Sequence, residues 1–498
     1  MAKRLYSQFR FLAALLLTLG GGLGAFAGEP AQAPDPIRLP DLGSPSDKYL
    51  TPADEVRLGK AFMRNIRTSQ HVITDPLIAQ YIQNLGNRLL KHSEAAAQPF
   101  DFFVIESPTV NAFAGPGGHI GVFSGLILTT QSESELASVI AHEIAHVTQK
   151  HLLRAFDAAS RMSAKTAALI LASILVGAAT SSPDAGFALA SSAQASALQQ
   201  QINFTRNDEQ EADTVGIRTL ASAGFDPRAM PTFFERLTHA DRLYDSGIPE
   251  ILRTHPVTTN RIADALNRAA AYPYRQYTSD FRYYLVREAL RVRQFASPKS
   301  AVEYFEKSLK EGRYLNKEAQ RYGYALALTE RHHYRRAGEI MDQLLKQRPQ
   351  QAEYVLARAR IYQQTEQPEL ALRLLETNHL VTPDSYPLSV AYIEALLQSG
   401  RADRAKEIIN QARSLRPNDP RLFRLLGKAE EQLGNSAESH RLLAEAYVAD
   451  GRLNEAVEQL KIAVKNDDKG DFYLSSRIES RLKELKRRLA RQEEKESH

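Results

Sequence analysis

At 498 residues, with 43% apolar and 24% charged side chains, the chain has a globular composition and is too long for one ordinary domain. A net charge of +5 is small for this length, points weakly to a negatively charged neighbour and does not support nucleic-acid binding. The absence of cysteine excludes disulfides, a lipid-modified N-terminal cysteine and thiolate metal ligands, so any metal must be held by His, Asp or Glu.

Met1 to Ala27 reads as a secretory signal peptide. Lys3, Arg4 and Arg10 are its positive region, Phe11 to Leu19 its apolar core, and Ala25-Phe26-Ala27 its cleavage site. A membrane anchor is the alternative, but the apolar run is short and ends in Gly20-Gly21-Gly22. Export fits a periplasm best. Pro30, Pro34, Pro36, Pro40 and Pro45 make residues 28–48 an extended linker or arm. Thr51 caps an expected helix through Phe62, and Pro76 to His92 forms a second with Ile78, Tyr81, Ile82, Leu85 and Leu89 on one face.

Phe100 to Ile105 reads as a strand, Asn111 to Ala114 as a short extended piece, Gly115 to Gly118 as a turn and His119 to Phe123 as a further strand. Such a small sheet either packs as an ordinary layer or offers an edge that pairs with an extended polypeptide. Ser132 to Lys150 then organises the chain. Ser132 with Glu135 spells a capping box, Leu136, Val139, Ile140 and Val147 a buried stripe, and His142-Glu143-Ile144-Ala145-His146 the HExxH pattern. Two histidines four apart lie on one helical face and can reach one metal ion, while Glu143 can aim its carboxylate at a water there as general base.

Thr166 to Pro183 has no charged residue and reads as a buried helix, or one that makes peripheral contact with a membrane or partner; a bilayer span is the weaker reading. The Ala/Ser/Gln-rich run to Gln201 suggests a mobile helix or flap. In Asn207 to Asp213, Glu209 and Asp213 fall on one helical face. A catalytic zinc needs a third protein ligand, which Glu209 can supply while Asp213 orients a ligand histidine; Glu211 is the runner-up. His255, just before Pro256 and six residues ahead of Arg261, is by itself more often structural, and His119, His151, His332 and His333 receive that reading outright.

Past Ser297 the pattern changes. Ala337, Ala371 and Ala405 recur at 34 residues, as do Pro349, Pro383 and Pro417, the period of tetratricopeptide (TPR) helix pairs. Ala301 with Phe305 suggests an earlier unit, Ser439 continues the series, and Ala456 falls half a period on. The expected divisions are a signal peptide over 1–27, an arm over 28–48, a metalloprotease domain over 49–275, a connecting helix over 276–296, TPR repeats over 297–490 and a frayed charged tail over 491–498. Stacked units form a groove suited to polypeptide partners, or a passive cap on the first domain.

HEIAH at 142–146, the E-x-x-x-D of Glu209 and Asp213, NAFA-x-PGG-x-I from Asn111 to Ile120, and THP-x-x-x-x-RI from Thr254 to Ile262 together resemble the HtpX/CAAX-prenyl-protease family of gluzincin metallopeptidases. The order of leader, protease and TPR array resembles the periplasmic bacterial members. The resemblance implies a mainly α chain with a small β-sheet: a zincin-type α+β domain followed by an α-solenoid. It implies one zinc per chain held by His142, His146 and Glu209, with Glu143 as base and Asp213 and Arg261 in support. Asn111, Ala112 and Phe113 would belong to the substrate-binding edge strand, and His255 would act as transition-state stabiliser or as a fourth ligand that shuts the site. Implied partners are polypeptides, above all unfolded or misassembled outer-membrane proteins, and the β-barrel assembly machinery. The alternative function is a chaperone or assembly factor working through the TPR groove with a latent metal site.

Overall fold

Side-chain alternation in three short strands decides how the first part of the chain is layered. The computed structural model describes residues 52–96, 98–160, 206–243, 249–467 and 471–496. The expected leader, the proline-bearing arm, the Thr166 to Pro183 stretch and the run to Gln201 lie outside the described residues. Among the described residues, β1 (Asp101–Ile105), β2 (Ala112–Gly115) and β3 (His119–Phe123) form one sheet in the order β1-β3-β2. β1 runs parallel to β3 and β2 antiparallel to it, so β2 is an edge.

Phe103, Ile105 and Phe123 pack with Phe113 on one face against Phe62, Met63 and Ile66 of α1 (Pro52–Ser69). That helix outruns the expected end at Phe62 because Met63 and Ile66 continue its buried stripe. Gly115 and Gly121 are required here: a Cβ would run into the Phe62 ring at the first and the Phe113 ring at the second. On the opposite face Phe102, Val104, Ala112, Ile120 and Val122 join α2 (Pro76–Leu90) and the HExxH helix in the main core.

After α3 (Ser124–Thr129), the HExxH helix is α4 (Glu133–Thr148). Ser132 caps it, its hydroxyl accepting the Glu135 N–H at 3.3 Å. The reciprocal half of the expected capping box is absent: the Glu135 carboxylate accepts the Gln131 N–H at 2.7 Å and pairs with Arg236. Every residue from Glu133 to His146 is buried, so Leu136, Val139 and Ile140 form one side of a fully enclosed helix, and Val147 is only half-buried. Around it stand α5 (His151–Ser160), α6 (Arg206–Ser222), α7 (Ala229–Leu243), α8 (Glu250–Thr254) and α9 (Thr259–Ala270).

The second half is helical throughout. α10 (Phe281–Gln294) leads into α11 (Pro298–Glu311), α12 (Lys317–Glu330), α13 (Tyr334–Gln347), α14 (Ala352–Gln364), α15 (Pro368–Val381) and α16 (Tyr386–Gln398). There follow α17 (Ala402–Leu415), α18 (Pro420–Gln432), α19 (Ser436–Ala449), α20 (Leu453–Lys465) and α21 (Phe472–Glu496). Ala337, Ala371 and Ala405 are fully buried where paired helices meet, Ser439 takes the same place in α19, and Pro349, Pro383 and Pro417 sit in turns between helices. The last helix runs through Arg491 to Glu496, so the backbone expected to fray there is helical. Among the described residues no helix is long and apolar enough to cross a membrane.

Contacts at three places tie the halves together. The chain entering α10 is fastened to the start of α4: Glu133 N–H donates to Ser279 Oγ at 3.0 Å, and the Glu133 carboxylate accepts the Asp280 N–H at 2.8 Å and the Tyr81 hydroxyl at 2.9 Å. Within α10, Arg287 donates to the Leu128 carbonyl at 2.8 Å, and Arg293 grips both oxygens of Glu106 at 2.8 Å. Further along, the array curls back so that Gly451, in the turn before α20, lies against the Arg64 side chain of α1.

Glu133 serves two donors from different parts of the chain in a buried setting, where hydrogen bonds to a charged acceptor contribute about 1.5–3 kcal/mol each. Glu133→Ala should therefore lower the thermal unfolding midpoint, with Glu133→Gln intermediate; an unchanged midpoint in the alanine variant would show that this fastening carries no weight.

Candidate active site

Small residues let two helices approach closely enough to bring polar groups together. Where α6 crosses α4, Ala145 packs against Ala212, and a Cβ on Gly216 would lie 3.3 Å from the backbone nitrogen and Cα of His142. This contact sets Glu209 and Asp213, one turn apart on α6, opposite His142 and His146, one turn apart on α4. All four are buried.

His142 Nε2 and His146 Nε2 face each other at 2.9 Å. Glu209 Oε2 lies 3.4 Å from the former and Oε1 3.6 Å from the latter. His255, at the end of α8, enters from a third direction, its Nδ1 2.8 Å from Glu209 Oε1 and 3.4 Å from His142 Nε2. Donor atoms of His142, His146, Glu209 and His255 all lie within 4.8 Å of one another. Glu143 stands beside the cluster with Oε1 3.6 Å from His255 Nε2, and its carboxylate accepts a hydrogen bond from the Ala114 backbone of β2.

Arg261, in the first turn of α9, supports the cluster from behind. Its Nε and Nη2 each reach an Asp213 oxygen at 2.8 Å, and Nη1 reaches Glu209 Oε2 at 2.7 Å and the Pro256 carbonyl at 2.9 Å. Asp213 Oδ1 in turn lies 3.0 Å from His142 Nδ1, which turns the Nε2 of that ring toward the cluster. Sequence spacing brought Glu209 and Asp213 together correctly on one face; Glu211, the runner-up, points away toward His151.

Electrostatics match the donor set. Burial presses the His142 imidazole toward neutrality, but Asp213 and Glu209 outweigh it and lift its pKa to about 10. Burial also opposes charge on Glu209 and Asp213, yet the surrounding imidazoles and Arg261 hold both carboxyls below their ordinary range. Burial pushes the Glu143 carboxyl up, with His255 and His142 opposing, and presses the His146 pKa down. The pocket thus sets two carboxylates, Glu209 and Asp213, beside Arg261 at a point where imidazole nitrogens converge. Two or three imidazoles with one carboxylate, and no sulfur, suit a zinc ion.

The edge strand stands above this cluster. Phe123 N–H donates to the Asn111 carbonyl at 3.0 Å, which makes Phe113 opposite Gly121 a hydrogen-bonded pair in the antiparallel alternation. The backbone groups of Ala112 and Ala114 consequently face away from β3. Phe113 instead turns its backbone to β3 and its ring among Phe62, Phe103 and Phe123 at 5.9–6.0 Å, while Asn111, just ahead of the strand, receives the Ala112 N–H on its own side chain at 2.9 Å. His119 keeps the bland role expected of it, on Asp101 at 3.2 Å. His151, given the same reading, is fully buried, with Nδ1 2.7 Å from His146 Nδ1.

The model of peptidase family M48 matches residues 76–269, and a tetratricopeptide repeat model matches residues 362–429. The chain is 37% identical to a protein of Vibrio cholerae described as a putative beta-barrel assembly-enhancing protease, over 85% of this chain and 87% of that one. It is 36% identical to the beta-barrel assembly-enhancing protease of Escherichia coli, over 92% of this chain and 93% of that one. A mitochondrial metalloendopeptidase, OMA1 of Arabidopsis thaliana, is 31% identical over 43% of this chain and 41% of its own length.

Gly216 is where this geometry is most exposed to a single change. Gly216→Val should push α6 off α4, costing about 1–3 kcal/mol of stability by overpacking and weakening zinc binding in a chelator competition. The same substitution at partly exposed Ala221 should leave both unchanged; normal zinc affinity in Gly216→Val would mean that the crossing does not set the donor spacing.

Proposed function

The chain belongs to peptidase family M48, and from that footing we propose that it is a periplasmic zinc endopeptidase whose TPR array docks polypeptides. Its substrates, on this reading, are misassembled or stalled outer-membrane β-barrel proteins, which it degrades and whose assembly it assists at the β-barrel assembly machinery. The observation that carries the reading is the convergence of His142, His146 and Glu209 beside a buried Glu143, beneath the open edge of β2. The relatives named for beta-barrel assembly support the substrate class, and the leader-like segment at Met1 to Ala27 supports the compartment.

In this mechanism His142, His146 and Glu209 are the metal ligands. Zinc, when bound, supplies a Lewis acid that polarises the scissile carbonyl and lowers the pKa of water. Asp213, gripped by Arg261, keeps the His142 proton on Nδ1 and thereby its Nε2 in the ligand role. An extended substrate adds to β2 by donating to the outward carbonyls of Ala112 and Ala114, whose N–H groups rest on the Asn111 side chain and the Glu143 carboxylate. Glu143 takes the proton from the attacking water and hands it to the leaving amine, a role favoured by a carboxyl whose proton affinity burial has raised. Arg261 also holds one oxygen of Glu209, so that the carboxylate keeps a single orientation toward the cluster.

His255 takes the fourth position. Its ring lies among the ligand atoms and 3.6 Å from Glu143, where a catalytic site needs room for water. This favours the reading of His255 as a fourth ligand that shuts the site until it moves. The same observation supports the second function, an assembly factor that works by TPR-mediated binding while its peptidase is latent.

Degradation of an unfolded protein by the zinc-loaded chain lacking residues 1–27 tests these roles. Glu143→Gln should lose at least about 100-fold in turnover, the lower end for a general base, with its zinc content unchanged. His255→Ala should cleave faster than wild type. Undiminished cleavage by Glu143→Gln would end its assignment as base; a slower His255→Ala would make that residue a stabiliser of the transition state rather than a gate. Zinc-bound protein in which no variant cleaves would move the assembly-factor reading to first place.

A further inference from the structure

Behind His146 stands a second run of polar groups that the mechanism above leaves without a role. Lys150, with φ 54°, turns the backbone between α4 and α5 through the left-handed region, a conformation that disfavours a residue with a side chain. The turn carries His151 back over His146. His151 is 0% exposed, and its Nδ1 is 2.7 Å from His146 Nδ1. Its Nε2 lies 3.2 Å from Glu211 Oε2 and 3.8 Å from Asp208 Oδ1. Arg154 Nη2 reaches those same two oxygens at 2.6 Å and 3.2 Å.

Two ring nitrogens at that separation share one proton, one donating and the other accepting. A neutral imidazole carries a single N–H. For His146 Nε2 to present its lone pair to a cation, the proton of that ring must sit on Nδ1. His151 Nδ1 must then accept it, which puts the His151 proton on Nε2. That Nε2–H needs an acceptor in turn, and Glu211 and Asp208 face it.

We propose that His151 is the positioning residue that holds His146 in its metal-binding tautomer, with Glu211, fastened by Arg154, as the terminal acceptor and Asp208 as a further negative charge beside it. The proposal rests on His146 being a ligand, as read above. It gives His146 the same support that Asp213 and Arg261 give His142: a guanidinium on a carboxylate, and the carboxylate behind the ring, here with one imidazole interposed. By donor type His151, Asp208 and Glu211 would also suit a cation. Arg154 already lies on both carboxylates and supplies the positive charge there, which favours the relay over a second metal.

The test is zinc affinity of the full chain by chelator competition, alongside the absorption spectrum of the cobalt-loaded protein and the split of kcat against KM. His151→Ala should weaken zinc binding about 10–100-fold, the range for losing such a supporting partner, alter the cobalt spectrum, and lower kcat with little change in KM. His151→Asn, whose amide oxygen can accept from His146 at the place of Nδ1, should regain most of the affinity. Glu211→Ala, at a partly exposed position, should weaken binding several-fold and keeps the question answerable if the variants at 151 do not fold. Wild-type affinity in His151→Ala, an Asn variant no tighter than the Ala variant, or an unchanged Glu211→Ala overturns the proposal. If His146→Ala abolishes binding while His151→Ala preserves it, only this inference falls; if His146→Ala itself keeps wild-type affinity, the ligand assignment falls and the inference with it.

Discussion

Buried charge at the crossing of α4 and α6 is the constraint on which the rest of the structure depends. His142, Glu143, His146, Glu209, Asp213, His255 and Arg261 are all nearly inaccessible to water. Ionised groups in such a place are costly unless each has a partner of opposite charge or a full set of hydrogen bonds. Arg261 meets much of that demand by serving Asp213 and Glu209 together. The enclosure of α4 on every side follows from the same demand, because a water-exposed face would weaken the fields that orient the cluster.

How legible this was in the sequence varied with the kind of contact. Contacts within one helix turn were readable: His142 with His146, and Glu209 with Asp213, follow from a period of 3.6 residues. The TPR helices were readable from their small residues and prolines because each unit repeats the same local packing. Contacts between separate segments were not derivable from spacing. Arg261 and His255 belong beside the metal position because α8 and α9 fold back over α6, and only family resemblance suggested it. Glu135 looked like half of a capping box, but Arg236, a hundred residues on, draws its carboxylate away. The place of His151 behind His146 was hidden for a related reason: it depends on a left-handed Lys150, and nothing in that residue's identity announces such a turn.

The sheet shows how strand register divides labour within a four-residue edge. One face of the sheet needs Gly115 on β2, and Gly121 opposite Phe113 on β3, so that the Phe62 and Phe113 rings can fill the space. The alternate residues, Ala112 and Ala114, keep small side chains toward the core and turn their peptide groups outward. A shift of one residue would exchange these roles, turning the Phe113 ring toward the other face and its peptide groups outward. Phe113 thus anchors the strand, while its neighbours present the groups that an incoming chain would meet.

The fastening of Glu133 to Ser279 and Asp280 joins the first turn of the HExxH helix to the segment that leads into the solenoid. Arg287 and Arg293 of α10 add grips on the Leu128 carbonyl and on Glu106, just past the end of β1. A polypeptide that shifted α10 on binding the solenoid would therefore do work on the helix that carries His142 and Glu143. Thermodynamic linkage makes such an exchange reciprocal: whatever factor that polypeptide imposes on affinity at the cleft, a chain held in the cleft imposes on the polypeptide.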